Sequence, residues 1–214
     1  MRIGILGSGR MGAKLGTLFA RAGHEVTFSY ARSEAKLKRL AKAAGPRARA
    51  GTPREAVQHT EVILLAVHWS RLHDVLRQAG DLGGKTVVSC CLPMDAGDTR
   101  LVVARNSSGA EVLQKKLPKT KVVAAFGTVP SEVLYGVYAA RRRKRRPSLI
   151  YYGDDRRAKR RVAGLIRDLG FDPVDAGPLK IARYAEPFTL LIAQLAYEGK
   201  GGPRLAYRFG RFAG

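Results

Sequence analysis

The sequence predicts an α/β fold: a doubly wound parallel sheet with a small C-terminal helical segment closing its working edge. Strand-like apolar runs alternate with helical periodicity from the second residue onward, and the first strand, helix and second strand fill about thirty residues, the size of one βαβ crossover. A third sign is the continuously apolar Val62-Ile63-Leu64-Leu65-Ala66-Val67, as expected of a strand covered on both faces. At 214 residues the chain can build one buried core, or a nucleotide-binding unit with a small second lobe, but not two full domains.

Taken in order, Arg2-Ile3-Gly4-Ile5-Leu6 ends at Gly7 and reads as a buried parallel strand. Met11, Leu15, Leu18, Phe19 and Ala22 then recur at helical spacing, and Gly23 stops that helix. Glu25 to Ser29 is β-rich, and the right-handed crossover rule makes it a neighbour of the first strand. Ser33 to Ala44 carries Leu37, Leu40 and Ala41 on one helical face. In Thr52-Pro53-Arg54-Glu55 an N-cap, a first-turn proline and a capping-box acid open a short helix reaching about His59.

Beyond the central strand, Leu72, Val75 and Leu76 mark a helix, Lys85 to Ser89 a strand, and Ser108-Gly109-Ala110-Glu111 a second capping box. Val122 to Phe126 and Leu149 to Tyr152 read as strands. Val162, Leu165, Ile166 and Leu169 form the apolar face of a helix ended by Gly170. A last long helix is expected from near Leu179 to Tyr197. The expected division is a dinucleotide-binding domain over 1–175, with 176–214 as a helical segment integrated with it.

Gly7-Ser8-Gly9-Arg10-Met11-Gly12 supplies G-x-G-x-x-G between the first strand and the first helix, the context in which that string binds a dinucleotide in a Rossmann-type unit. Gly7 permits the turn, Gly9 lets the backbone approach a pyrophosphate, and Gly12 lets helix and strand pack closely. The helix N-terminus then faces the phosphates. FAD and non-redox nucleotides are the competing ligands. At the end of the second strand, where a carboxylate would select NAD, stand Ser29-Tyr30-Ala31-Arg32-Ser33 with Lys36 one turn on. Arg32 can pair with a 2′-phosphate, Ser29 and Ser33 can donate to it and Lys36 adds charge, so NADP(H) is the expected cofactor.

His68 follows the central strand, at the end where open α/β sheets bind ligands, and can contact the cofactor. Trp69 either packs along the cofactor or fills core; His24, His59 and His73 read as surface groups. No G-x-S-x-G elbow, metal-spaced His or Cys cluster, or phosphate-binding Gly-Lys loop occurs, so no catalytic side chain and no metal is assigned. The adjacent Cys90 and Cys91 read as reduced thiols, and the first strand begins without room for a leader; the expectation is a soluble, cytoplasmic protein with no membrane partner. A net charge of +22 predicts attraction to polyanions, and much of it lies between Arg141 and Arg161. The run Arg141-Arg142-Arg143-Lys144-Arg145-Arg146 reads as a solvated loop. Nucleic-acid binding is the rival; against it, the run lacks interleaved aromatics and no recognised module is present.

Several segments together resemble the NADPH-dependent deazaflavin reductases, the coenzyme F(420)-dependent NADP oxidoreductase family, whose fold also serves as the reductase domain of the six-transmembrane epithelial metalloreductases. They are the Gly7 to Gly12 loop, Gly23-His24-Glu25, Val67-His68-Trp69, Leu92-Pro93, Phe126-Gly127-Thr128-Val129-Pro130, Gly153-Asp154-Asp155, and Asp175-Ala176-Gly177-Pro178-Leu179 with Arg183 and Glu186. The resemblance implies that Ser8, Gly9, Arg10 and Met11 line the pyrophosphate, that Thr128, Val129, Pro130 and Ser131 border the nicotinamide, and that the last segment closes over the site. It further implies hydride transfer to a small redox acceptor, coenzyme F(420) or a flavin. A homodimer is a separate expectation, which no motif carries. Two positions depart from it: Tyr30-Ala31 precede Arg32 where Ser-Arg or Asn-Arg is usual, and Gly127 replaces a histidine of the archaeal enzymes.

Overall fold

The computed structural model describes residues 1–103 and 105–212. Eight strands form one sheet in the order β3-β2-β1-β4-β5-β6-β7-β8. In chain order they are β1 (Arg2–Leu6), β2 (Glu25–Ser29), β3 (Ala48–Ala50), β4 (Val62–Leu65), β5 (Thr86–Ser89), β6 (Lys121–Ala125), β7 (Ser148–Gly153) and β8 (Asp172–Asp175). The helices between them are α1 (Arg10–Arg21), α2 (Glu34–Ala44), α3 (Pro53–Gln58), α4 (Leu72–Ala79), α5 (Gly109–Lys116), α6 (Leu134–Ala139), α7 (Arg156–Asp168) and α8 (Ala182–Ala193).

β1 to β6 are parallel, so their C-terminal ends share one edge of the sheet. β7 runs antiparallel to β6, with Ala125 opposite Tyr151, and β8 follows β7 in parallel. This reversal brings the start of β7 and the connection before it to the edge where β6 ends. The α7 helix leaves from the opposite edge.

The alternation of strand side chains sorts the core into two layers. Val62 and Leu64 of β4 join a cluster with Leu15, Phe19, Phe28 and Ile166 on one face. Ile63 and Leu65 join Val75, Leu113 and Ala185 on the other. Both faces of β4 are therefore sealed, as its unbroken apolar run requires.

Most expected caps form. Thr52 and Glu55 make the reciprocal capping box, and Ser33 caps α2 by accepting from Lys36 N–H. At α5 only half the box forms. Ser108 accepts from Glu111 N–H, but the Glu111 carboxylate takes the Ser108 hydroxyl at 2.8 Å and Arg183 instead of the cap backbone. β3 and β8 escape the sequence pattern because edge strands bury little; Pro173 sits in β8 with no ladder to support on its outer side.

His24 corrects a further expectation. It is buried, not a surface group: its Nε2 meets Asp168 Oδ2 at 3.0 Å and its ring packs edge-on against Phe19. Burial outweighs that carboxylate and lowers its pKa. His59 and His73 are exposed, as expected.

Candidate functional site

The β1–α1 loop is shaped chiefly by close backbone packing. Gly7 has φ +108°, and a Cβ there would stand 2.5 Å from the Ala66 carbonyl oxygen. A Cβ on Gly12 would fall 1.9 Å from the Gly7 carbonyl oxygen, so helix and strand touch where that glycine sits. Gly9 differs from both: a side chain there would meet no protein atom within 4 Å. It opens onto free space at the start of α1, whose cap makes no side-chain hydrogen bond and whose first turn holds no acid. The first helical N–H groups and the positive end of the helix dipole thus face outward, a cradle fitted to an anion.

Ser8 lines this loop through its backbone, because its side chain is buried and its hydroxyl donates to Ser29 O at 2.9 Å. Ser29 is likewise turned inward. Its hydroxyl donates to Ile5 O at 2.7 Å, which corrects the expectation that it donates to a 2′-phosphate. Arg10 and Arg32 are exposed, Lys36 is half-buried, and the Ser33 hydroxyl remains at the α2 cap. The left-handed Tyr30, φ +56°, ends β2 and turns its hydroxyl to Asp74 Oδ2 at 2.7 Å. Partial burial and that carboxylate push its phenol up to about 12.

Across the edge, Val67, His68 and Trp69 follow β4. His68 accepts from Ser70 N–H, capping the 3₁₀ turn Trp69–Arg71, and reaches Asp98 through Nε2 at 3.1 Å. Trp69 is half-buried against the core layer of α4. After β5 come Cys90 and Cys91, both free thiols; burial raises them, Cys91 to about 11, so neither is a ready nucleophile.

After β6, Phe126 takes a left-handed φ of +66° and the chain turns into Gly127 to Ser131. Thr128, Val129, Pro130 and Ser131 are all buried. Lys14 of α1 donates to Ser131 O and Oγ at 3.1 and 3.0 Å, tying the nucleotide helix to this loop. Thr128 Oγ1 lies 2.7 Å from the hydroxyl of Tyr207, which also accepts from Ile150 N–H. Tyr207 belongs to the extended tail; its carbonyl accepts from Ser148 N–H, and its ring meets Phe188 on one side and Phe209 on the other, both edge-on.

Glu186 of α8 reaches the same region. It is 3% exposed, and both carboxylate oxygens accept from the first N–H groups of α5, Gly109 at 2.9 Å and Ala110 at 3.0 Å. Burial nevertheless lifts its pKa to about 7. Arg183, one turn earlier, grips Glu111 with two bonds of 2.9 and 2.7 Å. Beside Glu186 lies a cavity of about 20 Å³ bordered by Cys90, Gly127, Thr128, Tyr152 and Thr189, room for one water. Sequence motifs pointed to Arg183 and Glu186, but nothing in the tail's pattern marked Tyr207, and Lys14 carried no signal beyond its charge.

A Rossmann-type sheet with an open, anion-fitted turn after its first strand has the architecture of the dinucleotide-binding class. The family model described as NADP oxidoreductase, coenzyme F(420)-dependent, matches residues 2–93. The F(420)-dependent NADP reductase of Methanocaldococcus jannaschii is 30% identical over 159 residues, 69% of this chain and 68% of that protein. This chain belongs to the coenzyme F(420)-dependent NADP oxidoreductase family. The metalloreductase STEAP3 of Rattus norvegicus is 31% identical over 189 residues, 88% of this chain; the chain spans only 36% of that relative's length. A crystallised protein of Arthrobacter sp. FB24, assigned as an F(420)-dependent NADP reductase, superposes with TM-score 0.85 at 25% identity, covering 99% of this chain and 100% of its own. Among the described residues, no helix is long and apolar enough to cross a membrane.

Proposed function

We propose that this chain passes hydride between NADP(H) and a flat, flavin-like acceptor, a deazaflavin such as coenzyme F(420) first and a flavin or ferric chelate next. The observation that carries the reading is the empty approach over Gly9 to an uncapped, acid-free helix N-terminus. Gly7, Ser8, Gly9, Arg10, Met11 and Gly12 would hold the pyrophosphate through backbone N–H groups. Arg32, Ser33 and Lys36 would hold the 2′-phosphate, with Ser29 fixing the strand end beneath them. Val67, His68 and Trp69 would flank the cofactor on one side and Thr128 to Ser131 on the other. The nicotinamide supplies the hydride when bound, so the chain's task is to position two rings and exclude water.

The turn 141–146 belongs to this reading because it enters β7 at the same edge as the site. Arg142, Arg143, Lys144 and Arg145 are exposed there, beside an open groove of about 480 Å³ along Gly136, Ala139 and Ala140. Such a cationic rim would speed capture of an anionic acceptor and lose that effect as salt rises. Two unpaired thiols suit a reducing, cytoplasmic setting.

The test is to mix the purified chain with NADPH or NADH and a panel of deazaflavin, FMN, FAD and ferric acceptors. Turnover with NADPH and at least one flat acceptor is expected. Tight NADPH binding without turnover on any acceptor would favour a sensor or scaffold, the reading that Gly127 leaves open by removing a ring beside the acceptor.

A further inference from the structure

The basic stretch that is continuous in sequence is divided by the fold. The turn 141–146 lies at the cofactor edge, whereas α7 starts from the far edge, where β7 ends at Gly153. Arg161 confirms the placement: it donates to Thr86 Oγ1 at 3.2 Å, at the first residue of β5. The Asp155 carboxyl is held low first by the hydrogen bond from Ala158 N–H and then by the nearby charge of Lys121, the first residue of β6.

Along α7 the buried side is apolar, with Val162, Leu165, Ile166 and Leu169 in the core. The outer side presents Arg156, Arg157, Arg160 and Arg167, all exposed. Four acids around the helix are engaged elsewhere: Asp155 caps it, Asp154 accepts from Leu179 N–H, Asp175 pairs with Lys159 and Asp168 with His24. Among the described residues, none of the four outer arginines forms an ion pair. The C-terminal end of α7 abuts the basic turn, since a Cβ on Gly170 would stand 2.6 Å from Arg141 Cβ. Helix and turn together make one cationic track, roughly 20 Å long on the helix alone at 1.5 Å per residue.

We propose that this track docks the phosphate backbone of duplex nucleic acid. A small acceptor held at the cofactor edge cannot use arginines at the opposite edge, so capture of such an acceptor does not account for them. A protein partner would call for aromatic or aliphatic anchors at the centre of the face, which α7 lacks. Stable anchoring on an anionic membrane would add an inserted apolar face or a lipid chain to the basic patch, and the apolar face of α7 is committed to the core. What remains is a polar, guanidinium-rich surface, the composition of a backbone-contacting interface. The missing aromatics now have a meaning: a duplex offers phosphates without bases to stack, whereas a single strand would need stacking platforms.

Fluorescence anisotropy with a labelled duplex of about 25 base pairs tests this, titrated from about 50 to 200 mM salt, with DNA and RNA in separate arms. With about five cations engaged, log K should fall against log salt with a slope of about −4 to −5 on the DNA duplex. The variant R156Q/R157Q/R160Q keeps helix-forming residues, and should reduce the slope by about 2 to 3 while NADPH binding is unchanged. R160Q alone, expected to cost about one unit of slope, serves if the triple variant folds poorly. No duplex binding at the lowest salt, or a slope the helix variants leave untouched, overturns the proposal. So does equal competition by a polyglutamate peptide at matched charge, which would show a sink for any polyanion.

Discussion

The two halves of the site are built by different means. Around Gly7 and Gly12 the glycine-loop half is shaped chiefly by backbone carbonyls in close contact, with Ala66 and Val67 the neighbouring side chains. The other half, from Phe126 to Ser131, is held by side chains from far along the chain, Lys14 and Tyr207, with Glu186 bordering the small cavity beside it. The first half tolerates almost no substitution but asks little of the rest of the sequence. The second can be retuned one side chain at a time.

The sharpest way to break this contrast is to substitute within one loop. Gly12→Val should destabilise the fold by about 3 kcal/mol or more, read as a fall in the urea midpoint, because its Cβ must displace a backbone carbonyl. Gly9→Val should leave that midpoint within about 1 kcal/mol of the parent, yet weaken NADPH binding at least about a hundredfold by calorimetry. If both variants unfold alike, Gly9 serves packing and the cradle is misassigned.

Glu186 probes the other half. Burial raises its carboxyl above the ordinary glutamate range to about 7, so the folded chain holds this proton more tightly than the unfolded one. The stabilisation is therefore complete below about pH 4.5 and is lost as pH rises towards 7, by an amount on the order of 3 kcal/mol. Glu186→Gln should flatten this part of a melting-temperature profile between pH 5 and 7; an unaltered profile would assign the slope to other groups. Next in size, Arg32→Ala should cost about 1–3 kcal/mol of NADPH binding and none of NADH binding. Tyr207→Phe should have the smallest effect, about 1 kcal/mol of stability, because Ile150 N–H loses its acceptor and Thr128 its partner. Its NADPH affinity should match the parent's.

The same division explains what could be read from the residues beforehand. The alternating elements, the glycine loop and the Thr52 capping box obey local rules, and each appears where those rules place it. His24 could not be read that way. Its burial depends on Asp168, 144 residues on, and on the edge of Phe19. Ser29 also looked like a ligand donor, yet the pleat points it at Ile5 O. Tyr207 lies in a stretch with neither helical nor strand periodicity, so its hydrogen bond to Thr128 had no local cause. The arginine run was visible as composition, but its split across two edges follows from the reversal of β7.

The clamp between α8 and α5 has a consequence for synthesis. Glu186 meets the start of α5 from 77 residues downstream, and Tyr207 meets Thr128 from 79. At about 5–20 residues per second, each of these partners waits roughly 4–16 s on the ribosome for its counterpart. During that interval the glycine loop, whose packing partners end at Val67, would already be in place to take up a dinucleotide. A nascent chain paused before α8 would then be a binder without an acceptor pocket, so NADPH present during translation should shield the growing N-terminal half from proteolysis before the protein can turn over.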